Sequence, residues 1–242
     1  MRLRPLAILS WAAALVAACV PSPPAPNTPQ ATQDILSLLE PTQLVGRTDT
    51  FLVRNKGDSV RADVVVYIAG SDSVIDSIKS LGQQAVVVFD LHSRSNTTVT
   101  DSFGQEIVHL HYVGNEMRGL RVAIDSTGHR DSVHLSDQLP PGTVDRRSLA
   151  LVLQLVPLRD GATFSIPLFD SWSQHVVTAW VAVDGPTWRR VRAGTITVYR
   201  IDVRGDSYIL PRVFYVTADV PRRIILMEMS TTSWELVNHR LQ

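Results

Sequence analysis

The strongest constraint on the fold is a run of alternating apolar and polar residues between positions 162 and 237. Its first segment alternates Phe164, Ile166 and Leu168 with polar neighbours, and residues 176–183 are almost continuously apolar. Runs of about eight to eleven residues with a period of two, separated by Gly, Pro, Asp and Ser, are typical of antiparallel strands joined in a meander. This part of the chain therefore predicts a β-sheet.

The preceding part of the chain repeats the pattern. Asn-Lys-Gly-Asp at 55–58 and Gly-Asn at 114–115 each separate two such runs, and they predict hairpin turns. Residues 73–79 predict a further strand, and the Thr-rich residues 96–100 predict an edge strand. Together the runs predict a mainly β fold with about 11 to 13 strands in one curved antiparallel sheet, barrel or half-barrel.

One segment departs from this period. Leu149, Val152, Leu153 and Val156 recur at helical spacing, and Asp145 precedes them as a possible N-cap. A buried strand is the alternative, but Leu and Ala favour a helix over about 145–156. Because this helix is apolar on nearly every side, it must be buried on several faces. We expect it on the concave face of the sheet.

The first 18 residues are typical of a secretory signal peptide, with Arg2 and Arg4 followed by an apolar segment. Residues 16–19 (Val-Ala-Ala-Cys) match the bacterial lipobox, which predicts lipidation of Cys19. An ordinary signal peptide that happens to end in Cys is the alternative. Residues 19–33 are rich in Pro and polar residues and predict a tether, followed by a single β-rich domain over 34–242.

These features predict a location in the bacterial cell envelope. The protein would be attached to a membrane through its N-terminal lipid anchor. Position 20 is Val rather than Asp. In a Gram-negative envelope this favours the outer membrane, with the domain facing the periplasm.

Composition excludes several classes of protein. Cys19 is the single cysteine, so an acylated chain has no thiol for disulfides, thiolate catalysis or a cysteine zinc site. The signal segment holds two of the 23 basic residues and no acid, which leaves 21 basic against 23 acidic residues. This balance provides no electrostatic footprint for nucleic acid.

No catalytic or metal motif stands out. His109 and His111 share one strand face, but a metal needs a third converging ligand, so we predict neither a metal site nor a cofactor. No G-x-S-x-G nucleophile elbow and no glycine-rich phosphate loop occur. Four aspartates with potential for glycan hydrolysis are predicted at strand ends or turns, where Asp is common: Asp90, Asp101, Asp184 and Asp202. We therefore predict that the protein is not an enzyme, with a glycan hydrolase as the weaker alternative.

The order of motifs between residues 147 and 237 resembles a known family. It comprises a Leu-x-Leu-Val-Pro-Leu helix end, an Asp-Gly-x-x-Phe-x-Ile-Pro strand, a Val-rich strand, a Val-x-Ala-Gly-x-Ile step and a Phe-Tyr-Val-x-x-Asp-x-Pro-Arg-Arg-Ile strand pair. These motifs are Leu153–Leu158, Asp160–Pro167, Gln174–Val183, Val191–Ile196 and Phe214–Ile224. The pattern resembles the bacterial envelope family called domain of unknown function 3108, with a looser match from Gly46. The resemblance implies a half-barrel similar in shape to periplasmic lipoprotein carriers, with helices on the concave face and no catalytic residues.

These observations favour non-enzymatic binding of an apolar or amphipathic envelope component: a lipid, an acyl chain or a lipidated protein. The predicted ligand-binding residues belong to the apolar helix and to the aromatic-rich sheet around it. They are Leu149, Val152, Leu153, Val156, Phe164, Trp180, Tyr199 and Phe214. The alternative is a structural or protein-interaction module of the envelope whose core is filled.

Overall fold

A computed structural model describes residues 35–69, 73–80, 83–103, 105–171, 173–205 and 212–241. This part of the chain is mainly β, with 15 strands and one short α-helix, α1, at Leu149–Leu155. Short 3-10 helices occupy Ile35–Leu38, Pro41–Gln43 and Arg146–Ser148. The strands are Arg47–Asn55 (β1), Asp58–Ala69 (β2), Ser73–Ser80 (β3), Gln83–Asp90 (β4), Ser95–Phe103 (β5), Glu106–Val113 (β6), Glu116–Ile124 (β7), Arg130–Gln138 (β8), Val144–Asp145 (β9), Thr163–Asp170 (β10), His175–Val191 (β11), Gly194–Gly205 (β12), Arg212–Thr217 (β13), Ile224–Met229 (β14) and Thr232–Leu241 (β15).

All strands belong to one open, curved sheet, which confirms the predicted architecture. Its order is β8-β7-β6-β5-β4-β3-β2-β1-β15-β14-β13-β12-β11-β10-β9. Neighbours are antiparallel except for β9, which pairs with β10 in parallel. The first and last strands therefore meet in the middle of the sheet, where Arg47 lies opposite Leu241. On either side of this seam the chain forms a meander. We call β1–β8 and β9–β15 the two arms of the sheet.

Turn chemistry explains the hairpins. Lys56 and Gly57 join β1 to β2 with φ of 47° and 102°, and Gly114 between β6 and β7 has φ of 58°. Positive φ at a two-residue turn matches the twist of antiparallel strands, and Gly tolerates it without steric strain. Both predicted hairpins are confirmed.

The helix prediction is also confirmed. The side chain of Asp145 accepts a hydrogen bond from the backbone N–H of Arg147, and the 3-10 turn at Arg146–Ser148 leads directly into α1. Helix α1 ends at Leu155, next to Val156 in an extended conformation and the following proline. Its side chains pack in the main apolar core, between β2–β4 on one side and β10–β13 on the other. The helix thus fills part of the concave side of the sheet.

Two further apolar clusters extend this core. One joins β4–β8 through Val99, Leu110 and Met117, and Phe169 of β10 reaches it across the concave side. The other joins the distal part of the β11–β12 hairpin to β13–β15 and includes Val191 and Val198. The sheet is therefore curved enough for strands from its two arms to pack against each other.

Two details differ from the sequence-based expectations. The described residues contain 15 strands rather than about 11 to 13, partly because β9 has two residues and is too short to show a period. Residues 96–100 are not an edge strand, since they belong to β5, which pairs with β4 and β6.

Within the described residues, no helix is long and apolar enough to cross a membrane. Residues 1–34, which hold the predicted signal peptide, Cys19 and the whole predicted tether, lie outside the described part.

Candidate functional site

A cavity of about 430 Å³ opens on the concave side, between α1 and the sheet. Side chains reach it from β1–β5 of one arm, from β13–β15 of the other arm and from the helix segment. Because side chains alternate between the faces of a strand, every second residue of β1 (Arg47, Asp49 and Phe51) points to this space. The apolar part of the wall consists of Phe51, Val64, Val66, Ile78, Ala85, Ala150, Phe214, Ile224, Met227, Met229 and Trp234.

Several of these apolar side chains are only half-buried. Ile224, Met227, Met229 and Trp234 remain partly accessible on the inner wall of the sheet. Trp234 is held by an edge-to-face contact with Phe51, with ring centroids 6.2 Å apart. Apolar surface that lines a concave space, and is not covered by other side chains, is typical of a small-molecule site.

The two sides of α1 have different roles. Leu149, Leu151 and Leu153 are fully buried in the main core. Ala150 and Gln154, which are four residues apart and therefore on one helix face, line the cavity. The helix face that lines the cavity therefore carries one small side chain and one polar side chain.

The predicted ligand-binding residues are spread over different environments. Phe214 lines the cavity. Trp180 is 46% exposed, because it alternates with buried neighbours on β11 and points away from the core. The remaining six pack in or against the main core: Leu149, Val152, Leu153, Val156, Phe164 and Tyr199. The structure therefore does not bring the eight together around one space.

A group of polar side chains lines part of the cavity, and we call Arg47, Asp49, Asp76 and Gln154 the inner polar cluster. Nε of Arg47 donates a hydrogen bond to Oδ2 of Asp49 at 2.6 Å, and Nη2 donates to Oε1 of Gln154. Nε2 of Gln154 donates to the carbonyl of Ala150 at 2.9 Å, which fixes the amide on the helix. The cluster thus links β1 to α1.

Three atoms of the inner polar cluster have no hydrogen-bond partner within the described residues. They are Nη1 of Arg47, Oδ1 of Asp49 and Oδ1 of Asp76. The three residues are only 2%, 2% and 3% exposed. Buried polar atoms are nearly always hydrogen-bonded in proteins, so three unpaired atoms on one cavity wall require an explanation.

Burial changes the chemistry of Asp76. Desolvation raises the pKa of its carboxyl group, the positive charge of Arg47 lowers it, and the negative charge of Asp49 raises it. The net result is a pKa of about 7. Near neutral pH this carboxyl group is therefore divided between its protonated and ionised forms. In the protonated form it can both donate and accept a hydrogen bond.

A second buried group holds the start of the helix, and we call Asn96, Asp101, Tyr112, Asp145, Arg147 and Ser148 the helix-anchoring network. Nε of Arg147 donates to Oδ2 of Asp101 at 2.6 Å, and Nη1 lies 3.2 Å from Oδ1 of Asp145. The hydroxyl of Tyr112 donates to Oδ2 of Asp145 at 2.7 Å. Burial lowers the pKa of Arg147, but Asp145 and Asp101 outweigh this effect and raise it, so the guanidinium stays charged.

Asn96 completes this network. Its Nδ2 donates to Oγ of Ser148 at 2.6 Å, and its Oδ1 accepts from the backbone N–H of Asp145 at 2.9 Å. The amide therefore ties β5 to the residues that begin the helix. These contacts position α1 against β5 and β6.

A third charged group borders the cavity at β13. Arg146 lies 3.4 Å from Asp170, and Arg212 is close to both. Burial and the charge of Arg146 lower the pKa of Arg212, whereas Asp170 raises it. This region carries two cations and one carboxylate, so it is more positive than the inner polar cluster.

Most of the polar residues on the cavity wall were not predicted from the sequence. Asp101, expected at a strand end or turn, lies within β5 and is buried. A usable signal is nevertheless present: Arg47 and Asp49 share the inward face of their strand with Phe51, and Asp76 lies between Val74 and Ile78. Charges at inward-facing positions of a strand indicate a buried polar site.

Metal and histidine chemistry find little support in the described part of the chain. No group of three or more His, Cys, Asp or Glu residues within it is arranged to hold a metal ion. His109 and His111 are both exposed on β6.

Comparison with known proteins finds similarity only at the level of solved structures. No family model matches the chain, and no curated protein matches it. The chain is similar to a beta-barrel-like protein of domain of unknown function DUF1849 from Brucella abortus, with 12% identity and a TM-score of 0.48 over 82% of this chain and 98% of that chain.

It is also similar to the Pseudomonas aeruginosa MucA/MucB complex, with 10% identity and a TM-score of 0.24 over 87% of this chain and 99% of that chain. For MucB in complex with MucA(peri), the values are 12% and 0.22, over 86% and 98%. All three TM-scores are below 0.5, so these similarities carry no argument about function. The resemblance to domain of unknown function 3108 stays a prediction.

Proposed function

We propose that the domain binds an apolar or amphipathic molecule of the cell envelope, such as a lipid, an acyl chain or a lipidated protein, without chemical turnover. The observation that carries this proposal is the half-buried apolar wall of the cavity, formed by Ile224, Met227, Met229 and Trp234. The volume of about 430 Å³ lies within the range of roughly 300 to 1,000 Å³ that accommodates small-molecule ligands.

Binding of a dansylated fatty acid to the purified protein tests this proposal. We expect a saturable rise in dansyl fluorescence, because the probe moves from water into an apolar cavity. Trp234 on the cavity wall provides a second signal, since it can transfer excitation energy to the probe. If saturating probe produces no change in either signal, the proposal is wrong.

Substitutions in the cavity locate the binding site. Ala150→Phe places a ring in the cavity from the helix side and should weaken probe binding by about tenfold or more. Thr178→Phe adds the same ring on the outer face of β11 and is the matched control. Equal affinities of the two variants would place the probe outside the cavity.

The structure gives less support to an interaction module that pairs with its partner through a strand edge. β8 is an edge strand of the described sheet, but it is largely exposed and carries Arg130, Asp131 and Asp137. Charges on an edge strand oppose pairing with another strand.

Glycan hydrolysis also fits the cavity poorly. Asp49, Asp76 and Asp101 all line it, but Asp49 and Asp101 are each held in an ion pair with an arginine at 2.6 Å. The absence of enzymatic activity stays a prediction. Incubation with peptidoglycan fragments, followed by mass spectrometry, tests it.

Attachment to the membrane is a separate part of the proposal, because it rests on the sequence of residues 1–19. We expect labelled palmitate to be incorporated into the protein and to be lost in the Cys19→Ser variant. Fractionation of the envelope should place the labelled protein in the outer membrane. Failure to incorporate the label would contradict the anchor without affecting the cavity.

A further inference from the structure

We propose that the inner polar cluster selects ligands whose acyl chain ends in an uncharged head group that both donates and accepts hydrogen bonds, such as the hydroxyls of a glycerol monoester. This inference rests on the proposed function, because it assigns a head group to the ligand that the apolar wall would hold.

Two of the unpaired polar atoms have complementary hydrogen-bonding roles. Nη1 of Arg47 is a donor, Oδ1 of Asp49 is an acceptor, and all the described residues around them leave both without a partner. Leaving such atoms buried and unpaired costs free energy, which a ligand recovers if it supplies the missing partners. A hydroxyl group supplies both a donor and an acceptor.

The residues that carry the unpaired atoms form one patch on the sheet. Arg47 lies opposite Val66 of β2, and Val66 lies opposite Asp76 of β3, so the two charged residues share a row across three strands. Asp49 is the next inward-facing residue of β1. A single head group beside this patch can therefore contact all three side chains.

The net charge of the inner polar cluster opposes binding of an anionic head group. Arg47 is ion-paired with Asp49 at 2.6 Å, so the pair adds no net charge, and Asp76 is either neutral or negative. The inner polar cluster is consequently never net positive. A buried carboxylate or phosphate group would meet no uncompensated cation here, and its desolvation would oppose binding.

The competing site for a head group lies at Arg146 and Arg212. Two guanidinium groups beside the single carboxylate of Asp170 favour an anion, such as the carboxylate of a free fatty acid. Two ligands with the same acyl chain and different head groups therefore distinguish the two polar groups on the cavity wall.

Displacement of the dansylated fatty acid at pH 7.5 by two ligands with the same chain, monopalmitoylglycerol and palmitate, provides the test. We expect monopalmitoylglycerol to displace the probe at a concentration at least about tenfold lower than the concentration of palmitate that is required. Asp76→Leu should remove this preference, whereas Asp76→Asn should keep it, because an amide still donates and accepts. Arg212→Gln is the control outside the cluster and should also keep the preference.

The outcomes separate the two proposals. Equal or stronger displacement by palmitate, or a preference that depends on Arg212 rather than Asp76, overturns the head-group assignment and leaves the lipid-binding function intact. Absence of probe binding to the unsubstituted protein overturns both. If Asp76→Leu does not fold, the relative displacement by the two ligands on the unsubstituted protein decides the question.

Discussion

The inner polar cluster and the helix-anchoring network contain the same kinds of residues but differ in how completely these are paired. Each is buried, and each holds an Arg–Asp pair at 2.6 Å. In the helix-anchoring network, Asp145 accepts from Tyr112 and Arg147, and both ends of the Asn96 amide are hydrogen-bonded. In the inner polar cluster, three atoms have no partner among the described residues.

The clearest difference lies in the carboxylates. Within the described part of the chain, both oxygens of Asp145 and of Asp101 are hydrogen-bonded, whereas Oδ1 of Asp49 and Oδ1 of Asp76 are not. Residues that connect the helix start to β5 and β6 form most of their hydrogen bonds with one another, although Asp101 and Arg147 also line the cavity. Arg47, Asp49 and Asp76 line the same cavity, and each has one atom without a hydrogen-bond partner among the described residues. Burial and charge therefore do not distinguish the two clusters, whereas carboxylate oxygens without a partner in the part of the chain that the structure describes do.

The largest effect is expected at the centre of the helix-anchoring network. Arg147→Met leaves the buried carboxylates of Asp101 and Asp145 without their cation, which should lower the free energy of unfolding by about 3 to 5 kcal/mol. Urea denaturation at pH 7 measures this loss. A loss below about 1 kcal/mol, the usual value for an exposed pair, would show that the network does not hold the helix.

The next effect concerns Asp76 and depends on pH. Because the pKa of Asp76 in the folded protein is about 7, above its ordinary value of 3.8, its contribution to stability is complete below pH 3.8 and is lost as the pH rises through 7. Ionisation of Asp76 should therefore lower the free energy of unfolding by on the order of 4 kcal/mol as the pH rises from below 3.8 to above 7.

Asp76→Asn removes this ionisation. The variant should be more stable than the unsubstituted protein at pH 8, and its advantage should shrink steadily as the pH approaches 4. Urea denaturation at four pH values between 4 and 8 measures the difference. A constant difference over this range would contradict the raised pKa.

A smaller effect is expected from a single hydrogen bond of the helix-anchoring network. Burial and the charge of Asp145 raise the pKa of Tyr112, so its phenol stays protonated and donates. Tyr112→Phe should lower the free energy of unfolding by about 1.5 to 3 kcal/mol. Tyr215→Phe is the control, because its hydroxyl donates at 3.2 Å to the partly exposed Glu228. Equal losses of stability in the two variants would show that burial does not strengthen the Tyr112 hydrogen bond.

The smallest effect is expected outside both clusters. Arg189 forms a 3.0 Å ion pair with Glu228, and both side chains are about 40% exposed. Arg189→Met should change stability by less than about 1 kcal/mol, and less in high salt. A loss comparable with that of Arg147→Met would mean that exposure does not separate the two classes of pair.

The sequence predicted the fold well because its signals are local. Period-two alternation marks strands wherever one face is buried, and Gly57 and Gly114 mark the turns between them. Asp145, followed by an apolar repeat at helical spacing, marks α1. Each of these signals lies within a few residues of the element that it specifies.

The cavity wall was harder to predict because it depends on contacts between distant segments. Periodicity indicates that Leu149 and Leu153 are buried, but it cannot show that Ala150 and Gln154 are the residues facing the open space. Likewise, the pairing of Arg47 with Gln154 joins residues 107 positions apart. Aromatic character was a poor guide, since Trp180 points outward whereas Trp234 lines the cavity.

The pairing of β1 with β15 in the middle of the sheet has a consequence for the order of folding. Most other strand pairs are hairpins between consecutive segments, which form with little loss of chain entropy. The β1–β15 pair instead joins Arg47 to Leu241, so nearly the whole domain must be brought together before it can form. We therefore expect the two arms to assemble independently and the central seam to close last.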